Sequence, residues 1–243
     1  MSELSEKCRE NGEKQPNIFY RALGALGRFL MRVVWWPTKI YYKEKFPQKG
    51  NVVCVCNHYS AIDANAIYSK LFDFKGRIVV KAEALKSRFV EKGMAALCRA
   101  VKIKRGETDI SAFKKIIREL KSGGKVLIFP EGKCNKGANF KYMLPFKDGT
   151  SAIAVKSGSV IVPTVYYRPL KPFAFRKNRL IVGDPIDVSG FEGKNVHEVK
   201  SEITELIRDK MKELRAQIDE IVERYGGSLK KYERAKAAAV GAK

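Results

Sequence analysis

Short apolar runs in this chain alternate with stretches in which apolar residues recur every three or four positions. Val52 to Cys56 and Val126 to Phe129 are runs of β-compatible apolar residues, so each is predicted to form a buried strand. Between them, the stretch from Ile110 to Leu120 carries an apolar stripe at helical spacing and stops before Gly123-Gly124. These strand-helix-strand units predict an α/β fold whose mixed sheet is mainly parallel and flanked by helices.

The remaining pattern extends this fold. Strands are also expected at residues 77–80, 160–167 and 179–182, and a helix at residues 146–156. From Val196 onward, apolar residues follow helical spacing for about 30 positions and stop at Gly226-Gly227. A long C-terminal helix is therefore expected.

Residues 18–42 carry apolar side chains on one side of a predicted helix and arginines on another, with Trp35-Trp36-Pro37 near its end. This distribution is typical of a helix lying in the headgroup layer of a membrane, although a helix packed on the sheet would share the pattern. Four regions follow: a polar N-terminal tail at 1–17, a membrane-contacting helical segment at 18–45, an α/β domain at 46–228 and a basic C-terminal tail at 229–243.

Composition adds an expectation about partners. The net charge is +22, from 48 basic and 26 acidic residues. Such a surface suits an anionic membrane or a nucleic acid, and a solvated basic surface without a specific partner is the alternative. No recognised nucleic-acid motif occurs, which makes nucleic acid the less favoured partner.

Two further features of composition concern the compartment. The five cysteines are odd in number and scattered without metal-ligand spacing, which favours a reduced, cytoplasmic setting. No stretch of eighteen residues lacks a charge, and residues 1–15 are polar rather than signal-like. Neither a spanning helix nor a signal peptide is expected.

His58 is the more promising of two histidines because it follows the strand 52–56 directly, at the edge of the sheet where α/β sites usually lie. The other, His197, stands among charged residues at the start of the long helix and is expected to be exposed and structural. At about 100° per residue, His58 and Asp63 cannot share a helix face. If they touch, the chain must turn sharply and Ser60 must open a helix that carries Asp63.

Asp63 therefore has two possible roles. Its carboxylate can hold an imidazole N–H, raise the basicity of His58 and make it a general base for a hydroxyl. Alternatively, Ser60 to Asp63 is a capping box in which the carboxylate serves only the helix N-terminus. Lys81, after another strand, is expected in a surface ion pair, with a phosphate contact as the alternative.

The strand 126–129 ends in Phe129-Pro130-Glu131-Gly132, where proline and glycine stop the strand and let the backbone approach a ligand. With His58 and Asp63 as a His-x4-Asp motif, this sequence resembles the lysophosphatidic acid acyltransferase family of glycerolipid synthesis. Both motifs occur in the family's order, each after a strand. The resemblance implies that His58 and Asp63 are catalytic and that Glu131 and Gly132 position the acceptor.

Two shorter blocks extend the resemblance over roughly residues 50–170. Lys104-Arg105-Gly106 resembles the second family block, which implies that Arg105 with Gly106 helps bind the acceptor's phosphate. The strand around Pro163 resembles the fourth block, which implies that this proline shapes the acyl site. Residues 89–100 are expected to form a helix that either covers the sheet or lines an acyl tunnel.

The chain departs from the family directly after Gly132. The family continues with Thr-Arg-Ser, whereas this chain has Lys133-Cys134-Asn135. Lys133 or Lys136 is the candidate replacement for the missing arginine, but a lysine cannot grip a phosphate through two parallel hydrogen bonds.

The resemblance implies acyl transfer from a thioester, acyl-CoA or acyl carrier protein, to the sn-2 hydroxyl of lysophosphatidic acid, giving phosphatidic acid at the cytoplasmic face of the membrane. The protein would be peripheral or monotopic and need no cofactor, metal or covalent intermediate. Cys56, the one thiol near His58, is interpreted as a core residue. Another lysophospholipid or glycerol 3-phosphate as acceptor, or a non-catalytic basic membrane- or nucleic-acid-binding protein, are the alternatives.

Overall fold

The computed structural model describes residues 18–35, 38–73, 76–84, 87, 92–93, 97–103, 109–135, 142–167, 178–191 and 194–241. Within these residues the backbone forms one sheet of seven strands. The strands are β1 (Lys39–Tyr41), β2 (Val52–Cys56), β3 (Arg77–Lys81), β4 (Val101–Ile103), β5 (Lys125–Ile128), β6 (Val160–Tyr167) and β7 (Arg179–Val182).

The order of the strands places β2 at the centre of the sheet. The order is β1-β7-β6-β2-β5-β3-β4. Only the pair β6 and β7 is antiparallel among the strand pairs described, so the predicted mainly parallel, mixed sheet is confirmed. Because β2 has parallel neighbours on both sides, all five of its residues are buried, and its carboxyl end meets that of β5 at one edge.

Helices cover both faces of the sheet. They are α1 (Ile18–Trp35), α2 (Ala61–Lys70), α3 (Ile110–Lys121), α4 (Gly149–Ser157), α5 (Val196–Glu223) and α6 (Leu229–Gly241). On one face, Ile116 of α3, Ile153 of α4 and Ile207 of α5 share an apolar core with Val53 of β2. Burial of these side chains holds the three helices on the sheet.

The second face of the sheet carries α1 and α2. Ile67 of α2 belongs to the core formed with Cys54 of β2, and Met31 of α1 packs against the same core. Alternate residues of β2 thus serve opposite cores, as the period of a strand requires. The result is a three-layer arrangement with the sheet in the middle.

The N-terminal segment differs from its prediction. A helical segment was expected at 18–45, with Pro37 expected to kink or end its helix. α1 ends at Trp35, as Pro37 requires, but residues 39–41 form β1 beside β7. Pro37 cannot donate a backbone hydrogen bond, which disfavours helix continuation. The Tyr41 hydroxyl also donates to the Gly227 carbonyl at 2.9 Å, so this strand belongs to the α/β domain.

The C-terminal tail is also different from its prediction. Residues 229–243 were interpreted as a basic tail outside the α/β domain, whereas Leu229–Gly241 forms the helix α6. Alanine has the highest helix propensity, and Tyr232 anchors the helix because its side chain is buried against Tyr225, with ring centroids 5.7 Å apart.

Other predicted elements agree in type and differ in their bounds. The helix expected at 146–156 spans 149–157, and the long C-terminal helix from Val196 ends at Glu223. Half of the residues in the helix expected at 89–100 lie outside the described residues. His197 is exposed, as expected.

A buried ionic group joins helix α3 to strand β3 and to the residues just before β4. The Glu119 carboxylate of α3 accepts hydrogen bonds from Arg77 Nε at 2.6 Å and from Arg99 Nη2 at 3.1 Å. Arg77 and Glu119 are each only 1% exposed. Removing the carboxylate would leave two arginines buried without their neutralising charge.

Glu119→Ala is expected to lower the free energy of unfolding by about 3–5 kcal/mol, because the remaining charges stay buried without a counter-charge. Denaturant unfolding measures this. Glu205→Ala, which removes an exposed partner of Arg208, is the control and should change stability by less than about 1 kcal/mol. Equal effects of the two substitutions would contradict a structural role for the buried group.

Candidate active site

His58 lies in the loop that follows β2, at the carboxyl edge of the sheet. The preceding residue, Asn57, fixes the start of this loop: its side-chain amide donates to the Tyr166 carbonyl at 3.1 Å and accepts from the Tyr166 N–H at 2.8 Å. Asn57 thereby continues the pairing of β2 with β6 by one residue. His58 leaves the sheet in a defined direction.

The loop after β5 makes three contacts with His58. The imidazole ring stacks on Phe129, with ring centroids 4.0 Å apart. The backbone N–H of His58 donates to Glu131 Oε1 at 3.1 Å, and the backbone carbonyl of His58 accepts from the Asn135 N–H at 2.7 Å. The structure therefore brings the His-x4-Asp and Phe-Pro-Glu-Gly motifs together at one edge, as parallel neighbouring strands require.

Asp63 caps α2 and also faces His58. Its Oδ2 atom accepts from the N–H groups of Tyr59 and Ser60, both at 2.6 Å, and its Oδ1 atom accepts from Ser60 Oγ at 2.9 Å. This is the capping-box geometry. His58 Nδ1 lies 4.0 Å from Asp63 Oδ2, which is beyond hydrogen-bond range, so the capping role is observed and the support of the imidazole by Asp63 stays a prediction.

The protonation state of His58 follows from its surroundings. Burial, together with the smaller effect of the positive charge of Lys81, lowers the pKa of the imidazole to about 4. A nearby carboxylate acts in the opposite direction, but the loss of solvation outweighs it. At neutral pH the ring is therefore uncharged, and one of its nitrogens can accept a proton.

Lys81 lies at the same edge of the sheet as His58. It ends β3, and its charge acts on His58. The sequence left a surface ion pair and a phosphate contact open for Lys81, and both stay predictions. Its position directly after a parallel strand was the usable signal, because carboxyl ends of parallel strands share an edge.

Glu131 joins two loops through its carboxylate. Oε1 accepts from the His58 N–H, and Oε2 accepts from the Leu144 N–H at 3.1 Å. The side chain is 3% exposed, and burial raises the pKa of the carboxyl, while its two backbone hydrogen bonds act in the opposite direction. Both carboxylate oxygens of Glu131 therefore accept hydrogen bonds from backbone N–H groups around the site.

The turn after Glu131 needs its glycine. Gly132 has a φ of +65° and its N–H donates to the Phe129 carbonyl at 3.0 Å. A Cβ at this position would lie 3.0 Å from Cε of Lys147, and Lys133 is exposed beside it. Cationic side chains thus border the turn, although the family arginine is missing.

The structure does not bring every predicted residue to this site. Arg105 and Gly106 lie outside the described residues, as does Lys136. Pro163 pairs with Val55 inside the sheet, and a Cβ on Gly183 would lie 3.0 Å from its Cγ. Its predicted contribution to the acyl site stays a prediction.

The Cys56 thiol is unsuited to nucleophilic chemistry. It is fully buried on β2, and burial raises its pKa well above the ordinary value of 9.0. The reactive species of cysteine is the thiolate, which this environment suppresses. The interpretation of Cys56 as a core residue agrees with this position.

Across the described ranges, no three His, Cys, Asp or Glu side chains are grouped so that they could hold a metal ion. No helix in the described part of the chain is long and apolar enough to cross a bilayer.

Known proteins resemble this chain in sequence and in fold. A family model described as Acyltransferase matches residues 38–167. The 1-acyl-sn-glycerol-3-phosphate acyltransferase of Bacillus subtilis is 25% identical over 186 residues, covering 75% of this chain and 90% of that protein. That of Borreliella burgdorferi is 30% identical over 125 residues, covering 51% and 48%.

A solved structure has a similar fold. The crystal structure of the 1-acyl-sn-glycerophosphate (LPA) acyltransferase from Thermotoga maritima matches with a TM-score of 0.57 and 22% identity, over 81% of this chain and 80% of that one. The matched family region includes His58, Asp63 and Glu131 and spans more than half of the 243 residues. The resemblance predicted from the two motifs is therefore confirmed, and the chain belongs to the acyltransferase family.

Proposed function

We propose that this acyltransferase moves a fatty acyl chain from a thioester to the sn-2 hydroxyl of lysophosphatidic acid and so makes phosphatidic acid. The names of the relatives support the acceptor. The observation that carries the proposal is the neutral His58 imidazole held between Asp63 and the Phe129 to Gly132 turn. That arrangement suits a general base, and the proposed reaction needs no covalent intermediate.

The proposed reaction follows from the orientation of the imidazole. Nδ1 faces Asp63, so Nε2 lies on the other side of the ring and accepts the proton of the hydroxyl. The hydroxyl oxygen attacks the thioester carbonyl, and the tetrahedral intermediate expels the thiolate. The proton held by His58 then passes to the departing sulfur, which restores the neutral base.

Asp63 assists when His58 becomes charged. A proton on Nε2 leaves the N–H at Nδ1 facing the carboxylate, and the 4.0 Å gap shortens to a hydrogen bond. Catalytic hydrogen bonds are often long in the free enzyme and shorten with substrate bound. The buried carboxylate then stabilises the imidazolium without taking its proton.

Anchors for the acceptor come from the positive residues at this edge. Arg105 with Gly106 is proposed for the phosphate, and Lys81 and Lys133 add positive charge near His58 and Gly132. Glu131 acts indirectly, since its carboxylate holds the loops that shape the pocket. Pro163 is retained as a proposed determinant of the acyl site. Either acyl-CoA or acyl carrier protein suits the basic surface as donor.

The N-terminal helix is proposed to bind an anionic membrane at the cytoplasmic face. Its apolar residues Ile18, Phe19, Leu23, Leu26, Phe29, Leu30 and Val33 are between 36% and 82% exposed. Met31 packs on the core, so the exposed side faces away from the domain. Large exposed apolar side chains on a protein of net charge +22 are typical of a surface that enters the headgroup layer. The side chains of Trp35 and Trp36 lie outside the described residues.

His58→Ala is expected to lower kcat by about 10²- to 10⁴-fold, because the proton acceptor is lost. The purified enzyme is incubated with lysophosphatidic acid and each thioester donor, and phosphatidic acid is quantified. Cys56→Ala is the control and should retain most activity, since the thiol lies in the core. Full activity of the His58 variant would exclude the general-base role. Product from glycerol 3-phosphate but not from lysophosphatidic acid would reassign the acceptor.

The lowered pKa of His58 predicts a specific pH profile. Because the free enzyme keeps the ring neutral down to about pH 4, kcat/KM should stay constant between pH 8 and 6 and fall only at lower pH. A half-maximal value at pH 6.5 or above would contradict the lowered pKa.

Stability provides an independent check of the same pKa. The folded-state pKa of His58 lies below its unfolded value of 6.5. The neutral ring therefore contributes to the free energy of unfolding above pH 6.5, and this stabilisation is lost as the pH falls towards about 4. Denaturant unfolding should show that His58→Gln removes on the order of 2–3 kcal/mol of this pH dependence. An unchanged dependence would exclude His58 as its source.

Replacing Leu26 and Phe29 by serine is expected to weaken binding to phosphatidylglycerol vesicles at least about tenfold, since burying each side chain is worth about 1.5–3 kcal/mol. Vesicle cosedimentation measures the partition. The matched control replaces Ile110 and Leu206, which are exposed apolar residues of α3 and α5, by serine. Equal binding by the two double variants would show that α1 is not the membrane contact.

A further inference from the structure

A partly buried arginine of the long helix α5 contacts the residue next to His58. Arg215 Nη1 donates to the Tyr59 hydroxyl, although the two residues are 156 positions apart. The Arg215 side chain is 12% exposed and Tyr59 is 6% exposed. A charged side chain is seldom buried to this extent without a specific partner.

Arg215 has such partners on its own helix and on β6. Its Nε donates to Asp219 Oδ2 at 3.0 Å, one helical turn away. Its guanidinium carbon lies 5.5 Å from the centre of the Tyr167 ring, within range of a cation–π contact. Asp219 neutralises the charge and Tyr167 covers it, so the guanidinium is fixed in direction as well as in position.

Tyr59 connects this arginine to the proposed catalytic pair. Its side chain reaches Arg215, while its backbone N–H donates to Asp63 Oδ2 at 2.6 Å. The same Oδ2 atom is the one that faces His58 Nδ1 at 4.0 Å. A shift of Tyr59 would therefore move the carboxylate oxygen whose distance to the imidazole decides whether a hydrogen bond forms.

The helix that carries Arg215 is a rigid support. Met211, Leu214 and Ile218, on the turns around Arg215, are all buried in the core beneath α5. Supporting residues on a packed helix hold a site more exactly than residues on a loop do.

We propose that Tyr59, Arg215 and Asp219 form a positioning tether that sets the carboxylate of Asp63 against His58. The tether rests on the proposed function, in which Asp63 stabilises the charged imidazole. Arg215 acts through Tyr59 and does not contact the substrate. Two other roles give different results: a contact made only for stability would leave turnover unchanged, and an arginine that binds the acceptor's phosphate would alter KM.

The kinetic test compares Tyr59→Phe, Arg215→Met and the double variant, with Lys212→Met as a matched control on the exposed side of α5. Each single variant should lower kcat about tenfold with KM for lysophosphatidic acid within about twofold, and the double variant should resemble the singles because both remove one tether. The control should match the wild type. Wild-type kcat in Tyr59→Phe, a change confined to KM, or multiplicative effects in the double variant would each overturn the tether.

A second measurement does not depend on turnover. The chain has two histidines, so an NMR titration resolves the His58 ring and uses the exposed His197 as an internal reference. Loosening the loop admits water, so Tyr59→Phe should raise the pKa of His58 towards its ordinary value of 6.5 and leave His197 unchanged. The charged groups that act on the ring, Asp63 and Lys81, are intact in this variant.

The two measurements separate the possible failures. A wild-type enzyme that acylates no lysophospholipid would contradict the proposed function. An unchanged His58 titration in both Tyr59→Phe and Arg215→Met would contradict the tether, whatever the kinetics of the wild type.

Discussion

The loop that carries His58 is held by carboxylates that accept hydrogen bonds from its backbone. Glu131 accepts from the His58 N–H, and Asp63 accepts from the next two amides. Both carboxylates are almost fully buried, so each must use its oxygens within the protein. The imidazole is consequently fixed, desolvated and neutral before any substrate arrives, and this is the state in which it can accept a proton.

The fold explains why these groups meet. β2 and β5 are parallel neighbours at the centre of the sheet, so the loops that follow them leave from the same edge. Helices on both faces bury β2 completely, and His58, two residues beyond its carboxyl end, is partly exposed. The residues proposed to carry the chemistry thereby lie in loops supported by packed strands, and α1 carries a separate exposed apolar surface.

Much of the site was predictable because its parts have local signals. A fully buried strand has a continuous apolar run as its sequence signal. The loops after β2 and β5 carry the candidate site residues His58 and Glu131. β1 was missed because three residues carry too little pattern to outweigh a helical stretch before them. Arg215 has no local signal, since its partner Tyr59 is distant in sequence and charged residues are common on a surface helix.

The central claim concerns His58 acting as the base while Asp63 supports its charge. A crystal structure with lysophosphatidic acid bound tests it most directly. The account predicts Nε2 within about 3.2 Å of the sn-2 oxygen and a distance from Nδ1 to Asp63 Oδ2 that has shortened from 4.0 Å to hydrogen-bond length. A hydroxyl that faces another side chain, or two groups that move further apart, would contradict it.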